Sequence, residues 1–291
     1  MSVDTRLQFD RLPAVAPAYV RALIKRGGRL PEGGTIPDIE AEVGGVTADP
    51  ANLAEYRRVC GFAQGDALPV TYPHILAFPM HMAVLTHGRF PLKLLGLVHM
   101  RNAITQYRRI GADERLDLNV AVGGHRQVHN GIEFDLVTRV RDERGELAWE
   151  SASTMLSRGG GTGKRRKKGG DDESAVENAR YATWEAPADI GRRYAHAAGD
   201  YNPIHLSALS AKLFGFPRAI AHGMWSKART AAEIEDELNS DAYRLEVAFR
   251  RPVLLPGSLM LKYRPGGEGI PFVLTDPDGN TTHMQGAATY L

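Results

Sequence analysis

Cysteine is nearly absent from this chain: Cys60 is the only one in 291 residues. That excludes an intrachain disulfide framework and any site built from paired Cys ligands, and it points to a reducing compartment, the cytoplasm. Long apolar runs are missing as well. No stretch approaches the roughly 18 apolar residues that a membrane-spanning helix needs, and the opening MSVDTRLQFD lacks the apolar segment of a secretory signal. Integral membrane association is therefore not expected. Nor is there an excess of one charge: 36 Lys and Arg against 34 Asp and Glu leave a formal charge of +2, too little for a protein that coats nucleic acid. The excess is also local. Lys164–Lys168 reads KRRKK and Asp171–Glu173 reads DDE, and outside these two runs cations and anions are equal in number. No aromatic residues interleave with the basic run to stack bases, so a nucleic-acid partner is not expected. A Gly-rich phosphate loop after a strand is absent too, so nucleotide-binding folds lose support and no cofactor is expected.

What is present is the composition of an ordinary globular protein, 43% hydrophobic and 24% charged. Residues 157–173 (SRGGGTGKRRKKGGDDE) are the exception, almost free of apolar side chains and rich in Gly, so this segment reads as a linker. It divides the chain into an N-terminal domain, residues 1–156, and a C-terminal domain, residues 174–291.

In the C-terminal domain Arg180–Glu185 suits a strand. Pro187 and Asp189 open a helix that carries Ile190, Tyr194, Ala197 and Ala198 before Gly199 stops it. A short helical segment is expected around Ser207–Phe214, and a longer helix from His222 and Gly223 through MWSKARTAAEIEDEL. Strands are expected next: Tyr243–Phe249 and Ser258–Tyr263 alternate, Pro271–Leu274 is apolar and Thr281–Tyr290 closes the meander, with Asp278-Gly279 as a hairpin turn. A long helix followed by a meander of strands indicates an α+β fold with a sheet wrapped on the helix. The N-terminal half carries similar landmarks in the same order. Gly65-Asp66 parallels Gly199-Asp200, Gly96–Met100 parallels Ala219–Met224, and Tyr107–Arg109 parallels Phe249–Arg251. Two diverged copies of one fold are expected.

The chemistry-bearing segment is Tyr194–His205, containing GDYNPIH, followed by His222-Gly223-Met224. On a continuous helix Asp200 and His205 would be turned about 140° apart. Pro203 prevents that continuation and pushes Asn202 toward extended geometry, so a compact loop can aim Asp200 and His205 into one pocket. Asn202 suits such a loop by bonding local backbone. A carboxylate beside an imidazole suits general acid–base work on a water. Gly223 at a helix N-terminus offers unpaired N–H groups and a positive dipole end to a developing oxyanion.

GDYNPIH with a downstream AHGM resembles the hydratase motif of the MaoC-like, or R-specific enoyl-CoA hydratase, family. The match in order and spacing covers Tyr194–Met224. The linker and the N-terminal landmarks resemble the double hot-dog members, in which one half is degenerate. The resemblance implies reversible hydration of trans-2-enoyl thioesters, or dehydration of (R)-3-hydroxyacyl thioesters, on coenzyme A or acyl carrier protein, in fatty acid metabolism. It implies that Asp200 and His205 activate the water and that Gly223 N–H binds the thioester carbonyl. A homodimer is a further possibility it leaves open. Two departures bear on loop rigidity and substrate preference: Ala198 stands where the family often has Ser, and Ser207 where it often has Asp. In the N-terminal half no His stands five residues after Asp66, so that half is expected to lack the dyad.

The remaining candidates are weaker. Arg218, Lys227, Arg229, Arg250 and Arg251 could meet phosphates of coenzyme A or of a carrier protein. His222 reads as a residue that caps or packs at the helix start, and His99 as its relic in the N-terminal half. His74, His81 and His87 lack Asp, Glu or Cys partners at ligand spacing, so no metal site is expected. Cys60 reads as a structural thiol. The alternatives are a non-catalytic acyl-thioester binder and a hot-dog thioesterase.

Overall fold

The computed structural model describes residues 4–25, 28, 30, 34–159 and 179–291. Residues 160–178, which hold Lys164–Lys168 and most of the expected linker, lie outside the described residues.

In the N-terminal half the elements are β1 (Thr5–Phe9), α1 (Val15–Ile24), β2 (Ile39–Val46), α2 (Pro50–Cys60), α3 (Tyr72–Thr86), β3 (Leu97–Gln106), β4 (Leu116–Val128), β5 (Gly131–Arg141) and β6 (Leu147–Arg158). The C-terminal half contains β7 (Arg180–Ala186), α4 (Ile190–Ala198), α5 (Ala208–Lys212), α6 (Gly223–Ile234), β8 (Tyr243–Phe249), β9 (Gly257–Tyr263), β10 (Gly269–Thr275) and β11 (Thr282–Tyr290).

Every strand expected after the long helix is present, within two residues at each end. α6 stops as an α-helix at Ile234 and tightens into a 3-10 turn over Glu235–Glu237, a common way for a final helical turn to satisfy its carbonyls. Gly279, at φ +75°, makes the turn between β10 and β11, and its N–H bonds the Asp276 carbonyl at 3.0 Å.

The strand order shows the repetition most directly. C-terminal strands lie in the order β7-β9-β10-β11-β8, all antiparallel, with Arg180 opposite Tyr263 and Tyr243 opposite Tyr290. N-terminal strands, apart from the added β1, lie in the order β2-β4-β5-β6-β3. Each half thus follows one path, from a strand through a shorter and a longer helix into four strands, with the same permutation in the sheet. In the C-terminal half Met224, Trp225, Ala228, Ala231 and Ile234 of α6 are buried, as are Leu245, Val247, Leu259, Leu261, Phe272 and Leu274 of the sheet. Ala228 and Ala231 put small side chains on the buried face of α6.

Two of the expected parallels shift. The glycine that ends α2 in the left-handed conformation is Gly61, φ +82°, matching Gly199, φ +73°, at the end of α4; Gly65-Asp66 lies further along an exposed loop. Leu97–Met100 belongs to β3, so His99 is a strand residue and not the counterpart of a helix-starting His222. The counterpart of α6 is α3, whose apolar residues hid its boundaries. Tyr107–Arg109 do follow β3 as Phe249–Arg251 close β8.

The described residues group into two compact units that cut across the chain order. One takes the residues up to Thr47, Leu76–Asn102 and Asp113 to the end of β6; the other takes Ala48–Ile75, Ala103–Ala112 and β7 to Leu291. The second unit therefore includes α2, which comes from the span 1–156. It is held there by Asn52 Nδ2 donating to the Ala197 carbonyl at 3.0 Å and by Trp225 Nε1 donating to the Val59 carbonyl at 3.1 Å. β6 runs to Arg158, two residues into the expected linker.

Candidate active site

Gly199 caps α4 in the left-handed conformation, and its N–H bonds the Ala195 carbonyl at 2.9 Å. The chain is thereby turned so that Asp200 leaves the helix at its end. Asp200 Oδ1 accepts from Asn202 N–H at 3.2 Å. Asn202 is extended, φ −57° and ψ 124°, and precedes a 3-10 turn over Pro203–His205. Its side chain accepts from Ile204 N–H at 3.5 Å, the outer limit of a hydrogen bond. Pro203 therefore starts a new turn in place of a continued helix, and five residues suffice to bring His205 back toward Asp200.

His205 is buried, and its ring is oriented by Nδ1 donating to the Ile220 carbonyl at 2.8 Å. That bond fixes the tautomer and leaves Nε2 with the lone pair. The partner strand segment is itself pinned: Ile220 N–H bonds the Ile204 carbonyl at 3.1 Å, and Ala221 N–H the Val253 carbonyl at 2.9 Å. Burial, followed by the neighbouring His222, holds the His205 pKa down at about 3, against smaller opposing effects of Asp200 and the Ile220 carbonyl. The ring is neutral near pH 7 and can take a proton.

To Asp200 and His205, paired in the sequence reading, the structure adds a third group, His222. One donor atom each of Asp200, His205 and His222 lies within 4.8 Å of the others. The His205 and His222 rings stack at a centroid distance of 3.6 Å and an interplanar angle of 26°. His222 Nε2 donates to the Asp200 carbonyl at 3.0 Å and stands 3.8 Å from its Oδ2. One aspartate and two histidines could also be read as metal ligands. The geometry favours a hydrogen-bonded cluster, because two nearly parallel rings do not aim their nitrogens at one point, and Nδ1 of His205 and Nε2 of His222 already face carbonyls.

Gly223 is the first residue of α6, directly after His222. It is partly exposed, while its neighbours His222 and Met224 are buried. A Cβ built there would lie 3.0 Å from Cε1 of Phe249, so glycine is what lets this ring cover the helix start. The N–H groups of a first turn have no intrahelical acceptor, and the dipole end adds positive potential at the same place.

Ser207 replaces the Asp that the resemblance led one to expect, and does an Asp's local work. Its side chain caps α5, accepting from Ser210 N–H at 3.1 Å. Ala198 is buried at the end of α4.

A residue the sequence reading passed over is Gly191, in the first turn of α4. A Cβ there would sit 2.0 Å from the His205 carbonyl oxygen. This glycine is present for space and not for backbone angle, since it is not among those with positive φ. The available signal was a glycine inside a helix of otherwise good helix formers, where it costs stability locally.

The candidate phosphate contacts separate. Lys227 is fully buried and its Nζ donates to the Leu245 carbonyl at 2.9 Å; burial pushes its pKa well down. It therefore cannot serve as a cation at a pocket mouth, because helix periodicity turned it inward onto β8. Arg229 pairs with Glu233 at 2.9 Å and lies 4.5 Å over the Trp184 ring. Arg218, Arg250 and Arg251 are exposed. Of the other histidines, His74 and His81 are buried, and His81 Nε2 lies 2.8 Å from Thr138 Oγ1. Cys60 is buried and burial raises its thiol pKa. Among the described residues no helix is long and apolar enough to cross a membrane.

Comparison with known proteins identifies the family and the fold. Residues 172–266 match the MaoC like domain family. The chain is 35% identical to 3-hydroxyacyl-thioester dehydratase X of Mycobacterium tuberculosis over 88% of its own length and 90% of that protein. The crystal structure of HtdX from the same organism superimposes with a TM-score of 0.75 at 34% identity, covering 87% of this chain and 100% of that one. At 11% identity and a TM-score of 0.57, covering 91% of this chain and 99% of the other, an M. tuberculosis protein described as having a double hotdog fold shares the architecture alone. The duplicated strand path and the placement of GDYNPIH beside the start of α6 thus have one explanation: the chain belongs to the MaoC-like dehydratase family, hydro-lyases of double hot-dog fold.

Proposed function

We propose that this protein adds water reversibly to trans-2-enoyl thioesters, and in the other direction dehydrates (R)-3-hydroxyacyl thioesters, carried on coenzyme A or acyl carrier protein. The observation that carries this reading is a carboxylate, Asp200, and a neutral imidazole, His205, held together with His222, the residue that precedes the N-terminus of α6.

In the hydration direction the water is held between the Asp200 carboxylate and the lone-pair nitrogen of His205. It loses a proton to the dyad as its oxygen bonds the β-carbon. Electron density then moves onto the thioester oxygen, where Gly223 N–H donates to it. Protonation at the α-carbon completes the addition. Dehydration retraces these steps. An α-proton of a thioester is only weakly acidic, so stabilising charge on the carbonyl oxygen matters in both directions. The roles of Asp200 and His205 belong to the pair. A single active site, in the C-terminal half, follows from the absence of a dyad after Asp66.

Hydration of crotonyl-CoA, followed by loss of the enoyl-thioester absorbance, tests the reading. Asp200→Asn and His205→Gln should each lower kcat by about 10²- to 10⁴-fold with the fold retained, while Asp66→Ala, on an exposed loop, should leave it unchanged. Wild-type rates in either dyad variant would refute the assignment. Release of free thiol in place of hydration would point to a hot-dog thioesterase.

A further inference from the structure

The AHGM segment was read above for its glycine, yet the histidine before it contacts both Asp200 and His205. His222 begins α6 without capping it, for its side chain makes no hydrogen bond to the first turn. Instead Nε2 donates to the carbonyl of Asp200 at 3.0 Å, one face lies against the His205 ring at 3.6 Å, and its own peptide unit carries the N–H of Gly223. Tyr194 of α4 lies against the same imidazole, ring centroids 4.9 Å apart.

We propose that His222 is a positioning residue of the reaction: it holds the main chain of Asp200, the ring plane of His205 and the N–H of Gly223 in one fixed relation without itself exchanging protons. This rests on the assignment of Asp200, His205 and Gly223 made above. The hydrogen bond to the Asp200 carbonyl makes Nε2 the protonated nitrogen. Nδ1 is then the lone-pair nitrogen, and it is buried with no hydrogen-bond partner among the described residues. A second proton would create a cation without an acceptor, in a site where His205, Asp200 and Tyr194 are the titratable neighbours. Burial accordingly holds the His222 pKa at about 4, which keeps the ring neutral through the working range. Three catalytic elements come from three separate pieces of chain: the end of α4, a 3-10 turn and the start of α6. Each has its own local bonds, and His222 touches all three. Reacting groups need placement to within about half an ångström, and a misplacement of about 1 Å costs about 10²-fold.

Two substitutions divide the functions of this side chain. His222→Phe keeps a flat ring against His205 but removes the donor to Asp200; His222→Gln keeps a donor and removes the ring. With crotonyl-CoA as the probe, each should lower kcat by about 10- to 100-fold while KM changes by less than about threefold. His222→Phe should also move the acid limb of the kcat/KM profile to higher pH, because the neighbouring imidazole that helps lower the His205 pKa is gone. An unchanged kcat, a change confined to KM, or a fall in kcat with the acid limb unmoved would overturn the proposal. Nitrogen-15 NMR of the wild-type protein provides a check that needs no variant: His222 should be the Nε2–H tautomer and His205 the Nδ1–H tautomer, and the opposite assignment at His222 would also overturn it. If Asp200→Asn and His205→Gln retain full activity, the fault lies in the underlying assignment; if they are inactive while both His222 variants are normal, it lies in this inference.

Discussion

Gly191→Ala offers a demanding test of the site geometry because two physical effects predict opposite signs. Alanine favours a helix over glycine by about 0.5–1 kcal/mol, and position 191 lies in the first turn of α4 with no unusual backbone angle. Local propensity alone therefore predicts a slightly more stable and fully active enzyme. The tertiary structure predicts otherwise. The new methyl would stand 2.0 Å from the carbonyl oxygen of His205, 3.0 Å from its carbonyl carbon and 3.4 Å from Leu255 Cδ1. An ordinary carbon–oxygen contact is about 3.3 Å, so α4 and the His205 backbone must separate by about 1.3 Å. His205 has little room to yield, since Nδ1 is bonded to Ile220 at 2.8 Å and its ring is stacked on His222. α4 cannot move freely either, for Asn52 holds the Ala197 carbonyl at 3.0 Å. Its far end carries Asp200, so whichever side gives way, the carboxylate and the imidazole change their relation by about an ångström. A loss of about 10² in kcat is expected, about 2.7 kcal/mol of transition-state stabilisation, together with an overpacking cost of about 1–3 kcal/mol in stability. Steady-state hydration of crotonyl-CoA and a thermal melt measure both. A variant with wild-type kcat and a raised Tm would refute the argument.

Two more expectations concern titration. His81, His205 and His222 are held in the folded state at about 3, 3 and 4, chiefly by burial, against an ordinary value of 6.5. Folded pKa values below the unfolded ones mean that the unfolded chain binds more protons, so the stability these groups contribute is present above pH 6.5 and is lost as pH falls toward 4. Urea melts over that window should show unfolding accompanied by uptake of up to about three protons, and a stability independent of pH there would contradict the burial of these rings. Cys60 is buried with its thiol pKa raised by desolvation, so a water-soluble disulfide reagent should label it only as fast as the protein opens. Rapid labelling at neutral pH in the native protein would contradict its placement.

Much of the fold was legible in the order of residues because the relevant signals are local. Alternation located β8 and β9, apolar content and the Asp278-Gly279 turn located β10 and β11, Gly199 marked the end of α4, and Pro203 implied the break that lets Asp200 and His205 converge. The N-terminal half was harder to read. α3 is apolar on nearly every side and contains Pro79, so neither periodicity nor breakers set its limits, and the parallel for α6 was sought at Gly96–Met100, in a strand. Lys227 was misjudged for a related reason. A lysine in a helix is normally at the surface, and only the packing of α6 on β8 shows that this one ends on the Leu245 carbonyl.

The sequence by itself determined the chemistry available here: one acidic and one basic group in GDYNPIH, a glycine at a helix start, and no thiol pair or phosphate loop to compete with them. Residue type and short-range backbone preference are enough for that, since Gly, Pro and Asn act within a few positions of themselves. Only the tertiary structure decided how these groups are held. The stacking of His222 on His205, the space that Gly191 leaves for the His205 carbonyl, and the transfer of α2 to the unit that holds α4 and α6 all join residues from 14 to 166 positions apart. Such contacts follow from how helices pack on a sheet, and packing depends on shape and volume across the whole core, which no local pattern records.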